Sequence, residues 1–451
     1  MPTPSSPCPK LRSGKCIWAG VFLVVSLLGL SWGEGWAQER RTARFYLDTL
    51  GSPYMGGRGY VDEGALRAAR FLAGRMKAIG LEPLFSSATE NPYFQAFALD
   101  VNTFPGVTEV RLDGQRLRSG YDYITDPSSG GADKLALRVV RLDSMLLQNQ
   151  ERLQASLAEV DLDQSAIVVQ RRQVPNYRDN PVWDYVLNNR MQAAAIIVLE
   201  RKLTWGVGRA SQSYPQLHIL ADRFPEDAEQ VFIDLEQRLE RDYPSQNVAG
   251  MLPARRASAD SFLLVTAHYD HLGKLGDSAF FPGANDNASG VAMMMDLAAW
   301  FQAKRKRALK SYHLVFVAFG GEEAGLVGSR FFTEHPPIPL DRIAMVLNLD
   351  LMATGEGGLM VVNGKPQPMR MELLQSLNQK HELLTQVRSR PNAANSDHFF
   401  FAQKGVPAFF WYLMGNYPYY HDVHDTPDKP GLAGYPQAFE LVRRYLMSFP
   451  P

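Results

Sequence analysis

Residues 262–271 read FLLVTAHYDH, and the change of character at residue 268 decides the fold. Residues 262–267 form a nearly continuous apolar run without polar alternation, the pattern of a strand buried on both faces of a sheet. The run ends on His268, Tyr269, Asp270 and His271, which bring chemistry rather than packing. The same order recurs downstream. Residues 314–319 lead into Gly320, Gly321, Glu322 and Glu323; residues 344–349 lead into Asp350; residues 407–411 are followed by YHDVHDT at 420–426. Helical apolar spacing fills the intervals at 290–303, 325–332, 370–377 and 397–404, and an amphipathic stretch covers 435–449. Strands alternating with helices predict an α/β fold, a mixed, largely parallel central sheet with helices on both faces.

In open α/β sheets the site lies beyond the carboxyl ends of the strands, and here each of these strands ends in, or soon reaches, a metal-type residue. The loop GANDNASG at 283–290, just before the first long helix, adds Asp286. Neutral imidazole and carboxylate oxygen are suitable zinc ligands. A carboxylate can bridge two ions, and hydrolases with such pairs hold them ~3.5–4 Å apart. A further free carboxylate must then move the proton of the attacking water to the leaving amine. Adjacent Glu322 and Glu323 offer one group for each task. Read alone, Asp286 also suits a turn, and the Glu pair also suits a solvated helix start.

Taken together, His268-Tyr269-Asp270, the segment 285–290, Glu322-Glu323, Asn348-Leu349-Asp350 and His421 with Asp425-Thr426 resemble the motif set of the co-catalytic di-zinc aminopeptidases. That zinc-exopeptidase fold is shared with glutamate carboxypeptidase, glutaminyl cyclase and the transferrin receptor. The resemblance implies two Zn²⁺ per chain: His268 and Asp350 on one, Glu323 and His421 on the other, Asp286 bridging. It implies that Glu322 activates a metal-bridging water, that Asp270 orients His268, and that a cis peptide follows Asp286. His271 and His424 are read as supporting and pocket-rim residues, Asp397 and His398 as helix-start and support residues. Tyr417, Tyr419 and Tyr420 are read as lining the pocket mouth or packing in a loop.

The rest of the chain divides around this unit. Residues 38–100 read as an entry segment with helical spacing at 39–50 and 65–79, and 236–451 as the catalytic remainder. Residues 101–235 read as a smaller, β-rich α/β module inserted between them, resembling a protease-associated domain. At the N-terminus Lys10, Arg12 and Lys15 precede an uncharged apolar run at 17–30 and the small-residue exit Gly35-Trp36-Ala37. This is the layout of a secretory signal over residues 1–37, with an uncleaved anchor as the alternative. Export to the periplasm, cell surface or medium is expected, with no stable membrane insertion after cleavage. Both cysteines, Cys8 and Cys16, fall inside this segment, which leaves no thiolate for metal or nucleophile in the mature chain. Lys+Arg and Asp+Glu number 47 each, so no excess charge favours nucleic acid. The expected partners are peptides with a free N-terminus. Glutaminyl cyclase, carboxypeptidase or dipeptidase activity on the same scaffold, and a receptor-like binding protein with a dead site, are the alternatives.

Overall fold

A computed structural model describes residues 39–85, 91–171, 179–305 and 310–450; the signal-like segment lies outside them. Helix α1 (39–50) and helix α2 (Gly64–Ile79) open the described chain. Gly80 closes α2 in the left-handed conformation, its N–H capping the last carbonyls. Strand β1 (Phe94–Thr103) then pairs antiparallel with the long strand β2 (Arg238–Leu252), so the chain leaves and re-enters the main sheet along one two-stranded ladder.

After β2 follow β3 (Ser261–His268), helix α3 (Ser289–Ala303), β4 (Tyr312–Phe319), helix α4 (Val327–Glu334) and β5 (Ile343–Leu349). The chain continues through β6 (Gly358–Val362), helix α5 (Pro368–His381), β7 (Val387–Ser389), helix α6 (His398–Gln403), β8 (Ala408–Met414) and helix α7 (Tyr435–Met447). Among the described residues the main sheet has nine strands. With Glu82–Pro83 at one edge the order is Glu82–Pro83, β2, β4, β3, β5, β8, β6, β7, and β1 pairs β2 off that path. β3 is parallel to β4 and β5, and β5 to β8, whereas β2–β4 and β6–β8 are antiparallel. The four strands whose ends carry ligand-type residues are therefore parallel, and their carboxyl ends share one edge. The helix and strand positions read from periodicity recur within a few residues. β6 and β7 were not legible: β6 follows the glycine-rich turn at 355–358, and β7 is a three-residue edge strand.

A second sheet of eight strands is built from residues 108–235. Its centre is parallel, running from Ala132–Arg141 through Ser165–Gln170 and Ala195–Glu200 to Gln216–Leu220. Among the described residues no helix is long and apolar enough to cross a membrane.

α3 is apolar on all sides, and Met293, Met294 and Met295 have no exposed surface, as expected of a helix packed between sheet and outer helices. It still carries Asp296, 8% exposed, whose Oδ2 accepts from the Tyr435 hydroxyl at 2.8 Å. Burial, reinforced by Glu39, lifts this carboxyl to about 8. A carboxyl raised in the fold loses stability for the protein as pH climbs from its unfolded value of ~3.9 through the folded one. Asp296→Asn keeps the acceptor without the charge. Its Tm should exceed that of the wild type by a margin that grows between pH 4.5 and 8.5, to roughly 3 °C or more. A margin independent of pH would show that the buried charge is not what the helix resists.

Candidate active site

The site gathers at the carboxyl edge of β3, β4, β5 and β8. His268 is the last residue of β3, and Asp350 directly follows β5. Glu322 and Glu323 follow β4 after two glycines, and His421 lies in the loop after β8. His268, Asp286, Glu322, Asp350, Tyr420 and His421 line a cavity of about 220 Å³.

Asp286 stands at the centre, 3% exposed. Its Oδ1 is 3.5 Å from His268 Nε2, and its Oδ2 is 3.2 Å from His421 Nε2. His268 Nε2 also faces Asp350 Oδ2 at 3.4 Å, and His421 Nε2 faces Glu323 Oε2 at 3.2 Å. The side chains thus form two nests that share one carboxylate, one oxygen to each. Nitrogen and oxygen ligands at ~2.0–2.1 Å around a tetrahedral ion stand roughly 3.3 Å from one another, which matches these separations. Asp350 Oδ1 is buried without a hydrogen-bond partner, a costly arrangement for a carboxylate unless a cation faces it. The donor set and the orphaned oxygen both fit divalent metal.

Glu322 also comes within 4.8 Å of His268 and Asp350, so proximity alone does not separate ligand from base. Hydrogen bonding does. Glu323 Oε1 pairs with His271 Nδ1 at 2.7 Å, and, against the cost of burial, His421 and His271 hold its carboxyl well below the usual range. Burial pushes the Glu322 carboxyl well above it, with the Glu323 charge adding. The two neighbouring carboxyls are pushed in opposite directions, the pattern of a ligand beside an acid–base group.

The motif residues around these groups have identifiable tasks. The 286–287 peptide is cis. Asn287 Oδ1 accepts from Gly290 N–H and Leu351 N–H, and its amide donates to the Leu349 carbonyl at 3.0 Å. Ser289 donates to the Asn285 carbonyl and accepts from Met352 N–H. The loop is thereby stitched to the end of β5. A side chain at Gly290 would meet the Leu349 carbonyl at 2.4 Å. Asp350 is aimed by a buried relay in which Thr266 donates to Asn348, Asn348 to Ser396, and Ser396 to Asp350 Oδ2 at 3.1 Å.

Asp270 differs in detail from the expectation. His268 Nδ1 pairs with the backbone carbonyl of Asp270 at 3.2 Å, while the carboxylate lies 3.9 Å away. That carboxylate accepts instead from Glu322 N–H, Glu323 N–H and the Tyr60 hydroxyl. Asp270 thus orients His268 through its main chain and anchors the Glu322-Glu323 turn through its side chain. His424 is half exposed and pairs with Asp422, outside both nests. Asp397 and His398 are buried at the start of α6. Tyr420 lines the cavity, whereas Tyr417 donates to Asp425.

The roles of two groups were not legible in the sequence. Asp425 accepts from Asn285 N–H and Asp286 N–H at 2.9–3.1 Å, so it holds the loop as well as marking a motif. Arg58 is fully buried and donates to five carbonyls, those of Leu50, Tyr269, Pro282, Gly283 and Asp286. Burial lowers its pKa to about 10 against the pull of Asp286 and Asp425, which leaves it charged at neutral pH. The only local hint was the glycine-rich setting at 56–59.

The mixed α/β sheet that carries these groups is one that solved peptidase structures share. Residues 247–446, which carry all five ligand-type residues, match the family model of Peptidase family M28. Aminopeptidase YwaD of Bacillus subtilis is 29% identical over 210 residues, 44% of this chain and 43% of that protein. An aminopeptidase of Pseudomonas aeruginosa is 32% identical over 112 residues, 24% of this chain and 19% of that one. The chain thus aligns with less than half the length of either. Among solved structures, a zinc aminopeptidase from Bacillus subtilis superposes with a TM-score of 0.66 at 19% identity, over 90% of this chain and 93% of the other. A peptidase M28 precursor from Shewanella amazonensis gives 0.61 at 16%, over 92% and 96%. Both share the fold across nearly the whole described chain.

Arg58→Lys supplies three donors for five carbonyls. It should destabilise the protein by about 2 kcal/mol or more, read as a lower denaturation midpoint. A wild-type midpoint would show that the Asp286 loop does not depend on the guanidinium.

Proposed function

We propose that this chain is an exported di-zinc aminopeptidase that hydrolyses the N-terminal peptide bond of peptides. The observation that carries the reading is the division of Asp286, whose two oxygens face different histidines, each with its own second carboxylate. His268 and Asp350 would hold one zinc, Glu323 and His421 the other, and Asp286 both. Zinc bound there would polarise the scissile carbonyl and acidify a water for attack. Glu322 takes a proton from the attacking water and returns it to the leaving amine. Asp270 keeps Glu322 in place by bonding its N–H, and His271 keeps Glu323 committed to its nest. The names of the relatives, aminopeptidases and zinc metalloproteases, support both the reaction and the metal.

The same reading divides the chain into a removable signal over 1–37, a catalytic unit from 38–100 and 236–451, and a protease-associated-like module over 101–235. It places the mature enzyme outside the cytoplasm. No excess of either charge favours nucleic acid as a partner.

Glu322→Gln should lower kcat by about 10²–10⁴-fold while zinc content per chain stays at the wild-type value. Aminoacyl-p-nitroanilides supply the assay. Turnover should vanish with a chelator, return with zinc, and fail on acetylated substrates. Turnover of acetylated peptides at their C-terminus, or cyclisation of N-terminal glutamine with one zinc bound, would replace this reading. Sequencing the N-terminus of the secreted protein tests the export reading; an intact Met1 would refute cleavage.

A further inference from the structure

The second sheet reaches into the metal-type nest. Between its strands Ala195–Glu200 and Gln216–Leu220 runs a segment that includes Lys202, Leu203 and Trp205. The Trp205 carbonyl lies 2.7 Å from His421 Nδ1, and Trp205 N–H donates to the His421 carbonyl at 3.2 Å. A carbonyl only accepts, so Nδ1 must carry the proton in that bond, which leaves Nε2 to face Asp286 and Glu323. Such outer partners fix tautomer and ring plane for a ligating histidine.

His421 needs this support. Its φ is +54°, a left-handed conformation uncommon for a residue with a side chain, and its loop lies beyond the end of β8. The segment that grips it is itself anchored. The Trp205 ring is 6% exposed and packs on Phe281 with centroids 4.6 Å apart. Leu203, Trp205, Phe281 and Val423 share one apolar cluster with residues of the second sheet. Lys202 Nζ donates to the carbonyls of Pro418 and Tyr420, just ahead of His421.

We propose that the 202–205 segment is a positioning element for His421, so that one of the two metal nests is complete only while the inserted module is docked. This rests on the reading that His421 is a ligand. The test is chelator-competition titration of metal-free protein with Zn²⁺, resolved into two affinities. Trp205→Ala should weaken one ion by roughly tenfold or more and leave the other at the wild-type value, and Trp205→Phe, which refills the contact with Phe281, should restore most of the loss. His421→Ala is the control for the underlying reading. If it binds both ions like the wild type, His421 is not a ligand. If it loses one ion while Trp205→Ala binds both normally, the positioning role is overturned and the ligand reading stands. Should Trp205→Ala fail to fold, Lys202→Met makes the same comparison. A loss of about threefold or more confined to the same ion supports the clamp, and unchanged affinities refute it.

Discussion

The structure depends on the concentration of carboxylates at one sheet edge. Asp270, Asp286, Glu322, Glu323, Asp350 and Asp425 converge there from separate segments, with Arg58 the guanidinium buried among them. Buried like charges repel, and each carries a desolvation penalty. The fold meets that constraint by giving carboxylates different fates. Asp425 and Asp270 are spent on backbone N–H groups. Glu323 is paired with imidazoles, and burial raises the Glu322 carboxyl. Asp286 and Asp350 present oxygens that only a cation satisfies well.

This division explains the apparent excess of support around a handful of ligands. Closely spaced ligand-type groups keep a fixed geometry only on rigid, well-supported elements. Arg58 braces the carbonyls of the Asp286 loop from one side, and Asp425 its N–H groups from the other. The Thr266–Asn348–Ser396 relay sets Asp350 by a chain of fixed polarity. Polar networks of this kind are stable when every member is satisfied, and the unpartnered Asp350 Oδ1 suits a cation.

The strand-end chemistry was legible in the sequence. β3, β4, β5 and β8 announce themselves as apolar runs because both faces of a parallel sheet are covered, and His268, Glu322, Glu323 and Asp350 are adjacent to those runs in the chain. Asp286 and His421 were recognisable through the local wording around them. Their connection was not legible. Arg58 meets the carbonyl of Asp286 across 228 residues, and Trp205 meets His421 across 216. The details of Asp270 also required three dimensions, since its carbonyl and carboxylate take different partners.

Sequence alone therefore determined which residue types stand at the ends of which strands, because periodic burial and local motif leave their record within a few positions. Only the tertiary structure decided how those residues are held: which oxygen of Asp286 faces which histidine, what braces its loop, and that a segment of the second sheet grips His421. The physical reason is that an arginine, an aspartate or a tryptophan carbonyl acting across two hundred residues imposes no period on the chain. Its partner exists only once the sheet has brought both ends to one edge.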